Sequence, residues 1–505
     1  MRFNFLKRKD RQVTNYEGAK AYVMTPESEL YAAVVTASLS DSFYEKSGDR
    51  VKRIGELISK NDAGYVARLA VYARTQMNMR SVPLVLAVEL AKRNSGNGIV
   101  SKAVGGVVKR ADEIAELLAY YQAANKRDGL KKLNKLSKQL QKGLAGSFNS
   151  FDEYQFAKYN RDTDVKLRDA LFLVHPKAKD ALQQELFNKI AANTLAVPYT
   201  WETELSALGQ AAYESKEQRT AAVTAKWEEL IDSNKLGYMA TLRNLRNILQ
   251  ANVSYGHILK VCGFLADKKA VAGSKQLPFR FLAAYREIRE VQSEGVIPLL
   301  NALESAVIAS AANIKGFDEE WAVLIACDVS GSMQKPISER SKILLYDIGL
   351  MLGMLMQSRC KRVVTGIFGE RWKIINMPSG NVLANVQEYY RREGEVGYAT
   401  NGYLVIEDLV RRNLRMDKVI LFTDCQMWNS RQDGASLRRA WKAYRAFYPP
   451  ARLYLFDLAG YGNTPVDIKE DGVYLVAGWS DKVFDVLQAI EEGSNAVDKI
   501  KKIVL

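Results

Sequence analysis

The chain has 505 residues, 48% hydrophobic and 26% charged, which exceeds what one hydrophobic core usually organises and excludes a disordered, collagenous or membrane-spanning chain. Its net charge of +15 is unevenly held: residues 1–300 carry 46 Lys and Arg against 32 Asp and Glu, whereas residues 301–505 carry 26 against 25. A basic excess confined to the N-terminal part favours contact with polyanions, because phosphate contacts release condensed counterions, although solvated surface lysine gives the same count. The opening MRFNFLKRKDR lacks an apolar stretch for export. Four cysteines without CxxC spacing (Cys262, Cys327, Cys360, Cys425) predict free thiols in a reducing, cytoplasmic setting.

Up to about residue 315, apolar residues recur at helical spacing: Leu30 to Leu39, Ile54 to Ile58, Val66 to Tyr72, Val82 to Ala91, Ile114 to Tyr121, Ala181 to Ala192, Leu205 to Tyr213, Leu242 to Leu249 and Phe281 to Val291. Stacked helical hairpins suit so many helices better than one bundle core. Beyond that point the pattern alternates. Short β-rich runs (Ala322 to Cys327, Arg362 to Phe368, Lys418 to Thr423, Arg452 to Leu458, Val473 to Ala477) are separated by helical stretches at Ser338 to Gln357, Tyr403 to Arg412, Ser436 to Phe447 and Lys482 to Glu492. Apolar strands separated by helices predict a doubly wound parallel sheet covered on both faces.

In such open sheets, ligands bind beyond the carboxyl ends of the strands. The first strand runs into Asp328-Val329-Ser330-Gly331-Ser332-Met333, and the third ends in Thr423-Asp424. One carboxylate, hydroxyls and water make the hard-oxygen shell that octahedral Mg²⁺ accepts, and a second carboxylate can enter directly or through water. Asp, Ser and Gly are also ordinary turn and cap residues; their position after an apolar strand singles these out.

DVSGSM, Thr400 in GYATNGY and FTD ending at Asp424 resemble the metal-ion-dependent adhesion site of von Willebrand factor A domains. The resemblance implies that Asp328, Ser330, Ser332, Thr400 and Asp424 hold a divalent cation, Mg²⁺ or Mn²⁺ in its place, leaving one coordination position for an acidic group of a partner. Asn401 departs from the family, whose members often carry Asp after the threonine. The departure should leave the ligand set intact.

Four N-terminal stretches, EGAKAYVMTPESELYAAVVTASLSDSFYE (17–45), YARTQMNMRSVPLVLAVELA (72–91), KGLAGSFNSFDEYQFAKYN (142–160) and TLRNLRNIL (241–249), resemble the TROVE domain of Ro autoantigen-type proteins. That resemblance implies an RNA-binding domain over residues 1–315, built of HEAT-like helical hairpins in a ring, and an A domain over 316–505 that closes the ring. The function it implies is RNA quality control without catalysis. A Y-like small RNA is held on the outer surface in a ribonucleoprotein, and the hole takes single-stranded ends of misfolded or immature RNAs. The protein would be monomeric within that particle, with no membrane partner; docking of an exoribonuclease or RNA-repair protein is left open.

The residues supply RNA-facing candidates. Lys131, Lys135, Lys138 and Lys142 fall at i, i+4, i+7 and i+11, within about 60° of one helix face, with Leu133, Leu136, Leu140 and Leu144 opposite. Such a helix docks through leucines and offers its lysines to phosphates or to solvent. Lys158 and His175 keep the spacing of the lysine and histidine that contact Y RNA in the Ro-type pattern. Because His175 precedes Pro176, it should lie at a helix end or loop, where an imidazole stacks on a base, bonds a phosphate or caps the helix. Arg80 in MNMRSVP and Arg243 with Arg246 in TLRNLRN either face RNA or pair with acids between hairpins.

Enzyme readings lack support in the sequence. It has no GxxxxGK[ST] loop or HExxH, and its two histidines leave little room for a Ser/His/Asp set. Two strand-end carboxylates are also few for a two-metal nuclease. The rival to RNA binding is a Mg-dependent adhesion scaffold that binds an acidic partner through the A domain, its basic charge being incidental.

Overall fold

The computed structural model describes residues 12–37, 45–125, 136–160, 162–310, 321–338, 341–468, 470, 472–480, 482–491, 493 and 495–505. In chain order the elements begin with strands β1 (Gln12–Thr14) and β2 (Lys20–Val23) and helix α1 (Pro26–Val35). Helices α2 (Ser47–Ser59), α3 (Ala63–Thr75), α4 (Ser81–Arg93), α5 (Ile99–Val107), α6 (Asp112–Ala124), α7 (Lys138–Phe148), α8 (Glu153–Tyr159), α9 (Leu167–Val174) and α10 (Ala181–Ala192) follow. The helical run continues through α11 (Trp201–Gln210), α12 (Lys216–Asp232), α13 (Tyr238–Gln250), α14 (Tyr255–Ala266), α15 (Lys268–Ser274), α16 (Pro278–Arg289) and α17 (Val296–Ser310). The rest alternates: β3 (Ala322–Asp328), α18 (Leu345–Gln357), β4 (Arg362–Phe368), β5 (Trp372–Ile374), α19 (Val382–Arg392), α20 (Tyr403–Arg411), β6 (Lys418–Thr423), α21 (Leu437–Phe447), β7 (Arg452–Asp457), β8 (Asn463–Thr464), β9 (Val473–Ala477), α22 (Val483–Glu491) and α23 (Ala496–Lys501). Among the described residues no helix is long and apolar enough to cross a membrane.

The chain divides into two compact units, one of residues 52–312, 480–482 and 498–505, the other of the described parts of 1–51, 313–479 and 483–497. The first is helical. Short polar residues start many of its helices: Asp62, Asp180, Thr200 and Ser215 each accept a first-turn backbone N–H, satisfying donors that the helix itself leaves orphaned. Helix α3 packs against α4 and α5, α4 against α6, and α5 against α7, so each hairpin stacks on the one before; α13, α14, α16 and α17 do the same further along. The α5–α7 contact needs glycine. A Cβ at Gly143 would stand 2.6 Å from the Cβ of Val104 and 2.9 Å from the Ser101 carbonyl oxygen.

The sequence pattern is corrected at the lysine-rich helix. Helix α7 begins at Lys138, with the non-helical Ser137 (ψ 127°) as its N-cap, so the helix that carries Lys138 and Lys142 does not continue back through Ser137. Lys131 and Lys135 lie outside the described residues. Leu140 and Leu144 are fully buried as expected, and Lys138 and Lys142 are exposed.

The second unit is built on a six-stranded sheet in the order β5-β4-β3-β6-β7-β9. All neighbours are parallel except β5, which runs antiparallel to β4 at the edge. Strands β3 and β6 are buried along their whole length, as apolar strands with both faces covered must be. Helix α18 lies across β3 and β6 through Gly349 and Gly353, whose missing Cβ atoms would otherwise come within 3.0–3.1 Å of Leu458, Phe422 and the Cys327 sulfur. It starts at Leu345 rather than Ser338, because the chain before it doubles back, Pro336 bridging Leu344 and the Ile337 N–H donating to the Ile343 carbonyl at 3.0 Å. The three-residue β5 was too short to register as a strand in the pattern.

The main run of the helical unit ends at residue 312, near the expected 315, but the N-terminal segment packs within the sheet unit. Strand β2 pairs with β1 on one side and with β8 on the other, placing Tyr22 opposite Thr464. The Asn15 amide donates to the Met427 carbonyl at 2.8 Å, and the Tyr16 N–H donates to Gln426 Oε1 at 3.0 Å. From α1, the buried Tyr31 hydroxyl donates to the Ala477 carbonyl at 2.9 Å. These partners are more than 400 residues apart, beyond the reach of periodicity. Tyr31→Phe leaves that carbonyl without its side-chain donor and should lower the stability of this unit by about 1–3 kcal/mol in urea denaturation; an unchanged midpoint would show that α1 is not held by this bond.

Candidate functional site

The parallel sheet carries the candidate metal residues to one edge. Asp328 ends β3, and Asp424 directly follows β6, the strand beside it. Both are fully buried, as are Ser330, Ser332 and Thr400. The loops that hold them are tied together: the Gly331 N–H donates to the Tyr398 carbonyl at 3.0 Å and the Trp428 N–H to the Thr400 carbonyl at 3.3 Å. Within the first loop, the Ser330 N–H donates to Asp328 Oδ1 at 2.9 Å, and the Ser330 and Ser332 hydroxyls lie 3.3 Å apart.

Asn401 does not join the donor set. Its amide donates to the Glu370 carbonyl and to Ser430 Oγ, and its Oδ1 accepts from the Ser430 N–H. It therefore fastens the second loop to the third.

Three residues at this edge were not foreseen. Thr423 Oγ1 donates to Asp328 Oδ2 at 2.7 Å and accepts from the Cys425 N–H at 3.1 Å. The Gln426 N–H donates to Asp424 Oδ1 at 3.0 Å. Asp457 ends β7, the next parallel strand, and is fully buried, accepting from the N–H groups of Ala459 and Gly460. The available signal was that β3, β6 and β7, three neighbours in the sheet, all finish in or beside Asp.

The electrostatics are those of a site short of positive charge. Among the described residues neither Asp328 nor Asp424 makes an ion pair, and Asp424 Oδ2 is buried without a hydrogen-bond partner. Burial raises the Asp328 carboxyl above its ordinary range, partly offset by Ser330 and Thr423. Burial and then the Asp328 charge raise Asp424. Two carboxylates and three hydroxyls make a donor set that a hard divalent cation fits. No group of three or more His, Cys, Asp or Glu is gathered as a metal site among the described residues.

In the helical unit the basic candidates separate by their partners. Arg80 is committed to acids, reaching Asp112 at 2.5 Å and Glu116 at 3.0 Å, and Arg246 reaches Glu287 at 3.4 Å. Arg243 is exposed and, among the described residues, makes no ion pair. It stands near Arg280, an unforeseen residue whose guanidinium is pulled below its usual range by desolvation and by the charge of Arg243. Lys158, in the last turn of α8, places its ammonium 5.5 Å from the Tyr154 ring centre and 5.8 Å from that of Tyr159, while Arg110 lies over the other tyrosine contact at 4.2 Å from Tyr159. His175 is the exposed C-cap of α9 with φ 50°, the helix end expected before Pro176. On the same helix, Arg168 lies 5.7 Å from the ring centre of Phe172, which is 51% exposed. These rings were missed because aromatic residues scattered among charges read as packing.

Comparison with known proteins adds family and fold. The TROVE domain matches residues 20–226 and 192–305, and the Ro60 vWA domain matches residues 322–490. Telomerase protein component 1 of Mus musculus is 25% identical over 308 residues, and that of Rattus norvegicus 24% over 308. Each alignment covers 46% of this chain and 11% of the relative, so the chain spans only that small part of the curated relatives' length. The crystal structure of the Deinococcus radiodurans RO (RSR) protein aligns with a TM-score of 0.58 at 17% identity, covering 93% of this chain and 100% of that one, a likeness of fold.

The raised carboxyls give a signed pH dependence. A carboxyl whose native pKa exceeds its unfolded value binds its proton more tightly when folded, so the metal-free chain loses stability as pH rises through the native values. Asp424→Asn removes one of the two charges. In EDTA it should stabilise the protein by on the order of 1–2 kcal/mol near pH 8 and have little effect near pH 5, where the wild-type pair is already protonated. Denaturation midpoints at the two pH values check this; equal effects at both would remove the charge explanation.

Proposed function

Because the chain belongs to the TROVE-domain family and carries a Ro60-type A domain, we propose that it is a non-catalytic RNA-binding protein that forms a ribonucleoprotein with a Y-like small RNA and takes single-stranded ends of misfolded or immature RNAs. The observation that carries this reading is the distribution of cations in the helical unit. Where Arg80 and Arg246 are neutralised by neighbouring acids, Lys158 is instead exposed against tyrosine rings, and Arg280 feels the like charge of Arg243, neither of them in an ion pair among the described residues. Cations beside exposed rings suit stacked bases and phosphates together, and like charges held near each other are relieved by a polyanion.

Two ligand surfaces follow from two kinds of cluster. The α8–α9 region, with Lys158, Tyr154, Arg168, Phe172 and His175, suits a structured RNA. The Arg243–Arg280 pair suits a single strand. Replacing Lys158 by Ala together with His175 by Gly, which keeps the left-handed cap without strain, should weaken binding of the structured RNA about tenfold or more, with thermal stability unchanged. Arg243→Gln with Arg280→Gln should flatten the salt dependence of single-strand binding by about 1.4 in log K against log salt. Equal losses for both ligands in both variants would argue against two surfaces.

In the A domain, Asp328, Ser330, Ser332, Thr400 and Asp424 would hold Mg²⁺, or Mn²⁺ in its place. The cation would supply a Lewis-acidic position for an acidic group of a partner. This donor set favours a second reading, a Mg-dependent adhesion scaffold, which a partner bound only in Mg²⁺ by RNA-free protein would establish. Mg²⁺ should raise the unfolding free energy by about 2.7 kcal/mol at a hundredfold excess over Kd, read as an upward shift of the denaturation midpoint. The gain should be larger near pH 8 than near pH 6, because the cation displaces protons, and Asp328→Ala should abolish it. Unchanged metal affinity in that variant would show the ligands to be misassigned.

A further inference from the structure

Beside the metal-candidate loops, within the sheet unit, lies a cavity of about 620 Å³, in the range that holds a small organic ligand. Four cations line it, Lys20 from β2 and Arg438, Arg439 and Lys442 from α21, and none of its lining residues is Asp or Glu. Arg438 is partly engaged, 2.7 Å from Glu470 and 5.1 Å from the centre of the Tyr22 ring. Lys20, Arg439 and Lys442 are exposed and, among the described residues, make no ion pair, although the Glu407 charge acts on Arg439.

The placement of these charges opposes the helix that carries most of them. Arg438 and Arg439 occupy the first turn of α21, which contains no acidic residue, although the dipole makes that end favour anions. Ser436 caps the helix by accepting the Arg439 N–H at 3.3 Å. Cations on a positive helix end, lining a cavity without carboxylates, are stabilised when an anion enters.

The remaining wall selects among anions. It is largely apolar, with Met427, Leu437, Pro465 and the half-buried Trp428. Strand β2 is already paired with β1 and β8, so it has no free edge to receive an extended peptide. An anion attached to a flat apolar body fits this wall better than an acidic peptide.

We propose that this cavity binds a nucleoside phosphate, its phosphate held by Lys20, Arg439 and Lys442 at the N-terminus of α21 and its base set against Trp428. Thr400 also lines the cavity, so the ligand lies beside the candidate cation site. The proposal does not rest on the RNA reading, because every group it uses belongs to the sheet unit. The same chemistry is offered by a free nucleotide and by the 5′-phosphorylated terminal nucleotide of an RNA.

The test is calorimetric titration of the full, nucleic-acid-free chain in EDTA with AMP, adenosine, inorganic phosphate, and a trinucleotide with and without a 5′-phosphate. AMP should bind more tightly than adenosine or phosphate. Arg439→Glu with Lys442→Glu should weaken AMP about tenfold or more, and Lys20→Glu, on a separate element, should weaken it too. Trp428→Ala should weaken AMP and leave inorganic phosphate unchanged. A control on exposed α15, Lys268→Glu with Lys269→Glu, should leave AMP binding as in the wild type. Tighter binding of AMP than of the phosphorylated trinucleotide identifies the free nucleotide as the ligand, and the reverse identifies an RNA end. The proposal is overturned if AMP shows no binding up to about 10 mM, if the control loses as much affinity as the cavity variants, or if an Asp/Glu-rich peptide outcompetes AMP at the same residues.

Discussion

Two carboxylates buried side by side, without a cation of the protein's own, govern the carboxyl edge of the sheet. Parallel strands covered on both faces bring their ends to one side, and Asp328 and Asp424 arrive there from adjacent strands. Burial disfavours both charges and each disfavours the other, so the edge must bind protons or a cation. The surrounding structure holds that arrangement in place. Thr423 and the Ser330 N–H fix the two oxygens of Asp328, Asn401 joins the second loop to the third, and the N-terminal segment braces the third loop through Asn15 and Tyr16. Gly349 and Gly353 let α18 lie close enough to the sheet to bury the strands beneath it.

What the sequence discloses here follows the length scale of each interaction. The five long strands of the sheet were legible to within a residue or two because an apolar run bounded by turn residues needs only its own neighbours to be seen. Asp328, Ser330, Ser332 and Asp424 were legible as loop residues after such strands, and His175 as a helix end because Pro176 acts on the residue directly before it. The docking of β1, β2 and α1 was not, since Tyr22 meets Thr464 and Tyr31 meets Ala477 across most of the chain. Charge was the least legible property. Arg80 and Arg243 look alike in sequence, yet one is held by Asp112 and Glu116 while the other stands near Arg280.

That contrast in arginine surroundings decides what the basic excess can do. A guanidinium held between two carboxylates on the next hairpin contributes to stacking of the helices and has little charge to offer a ligand. One beside another guanidinium contributes repulsion, and retains its attraction for phosphate. The useful count in the helical unit is therefore of cations without acidic partners, and the net charge of +15 overstates or understates it according to where the acids lie.

Backbone conformation singles out some of the same places. Among the described residues nine non-glycine residues have positive φ, and five of them, Asn78, Asn193, Asn234, Asn252 and Asn413, are asparagine, the side chain that enters this region most readily after glycine. His175 and Cys425 are exceptions, one at a helix end and the other directly after Asp424. Cys425 at φ 62° turns the chain so that the Gln426 N–H comes back to Asp424 Oδ1, and the turn holds the carboxylate inward at the expense of strain that an asparagine would lessen. His175 needs only to end a helix, a task that Asn193 performs for α10. Its imidazole is exposed, so neither packing nor capping calls for a histidine there. Lys275 in the same conformation likewise ends α15, and Gln432 closes a turn in which its N–H donates to the Asn429 carbonyl at 3.3 Å.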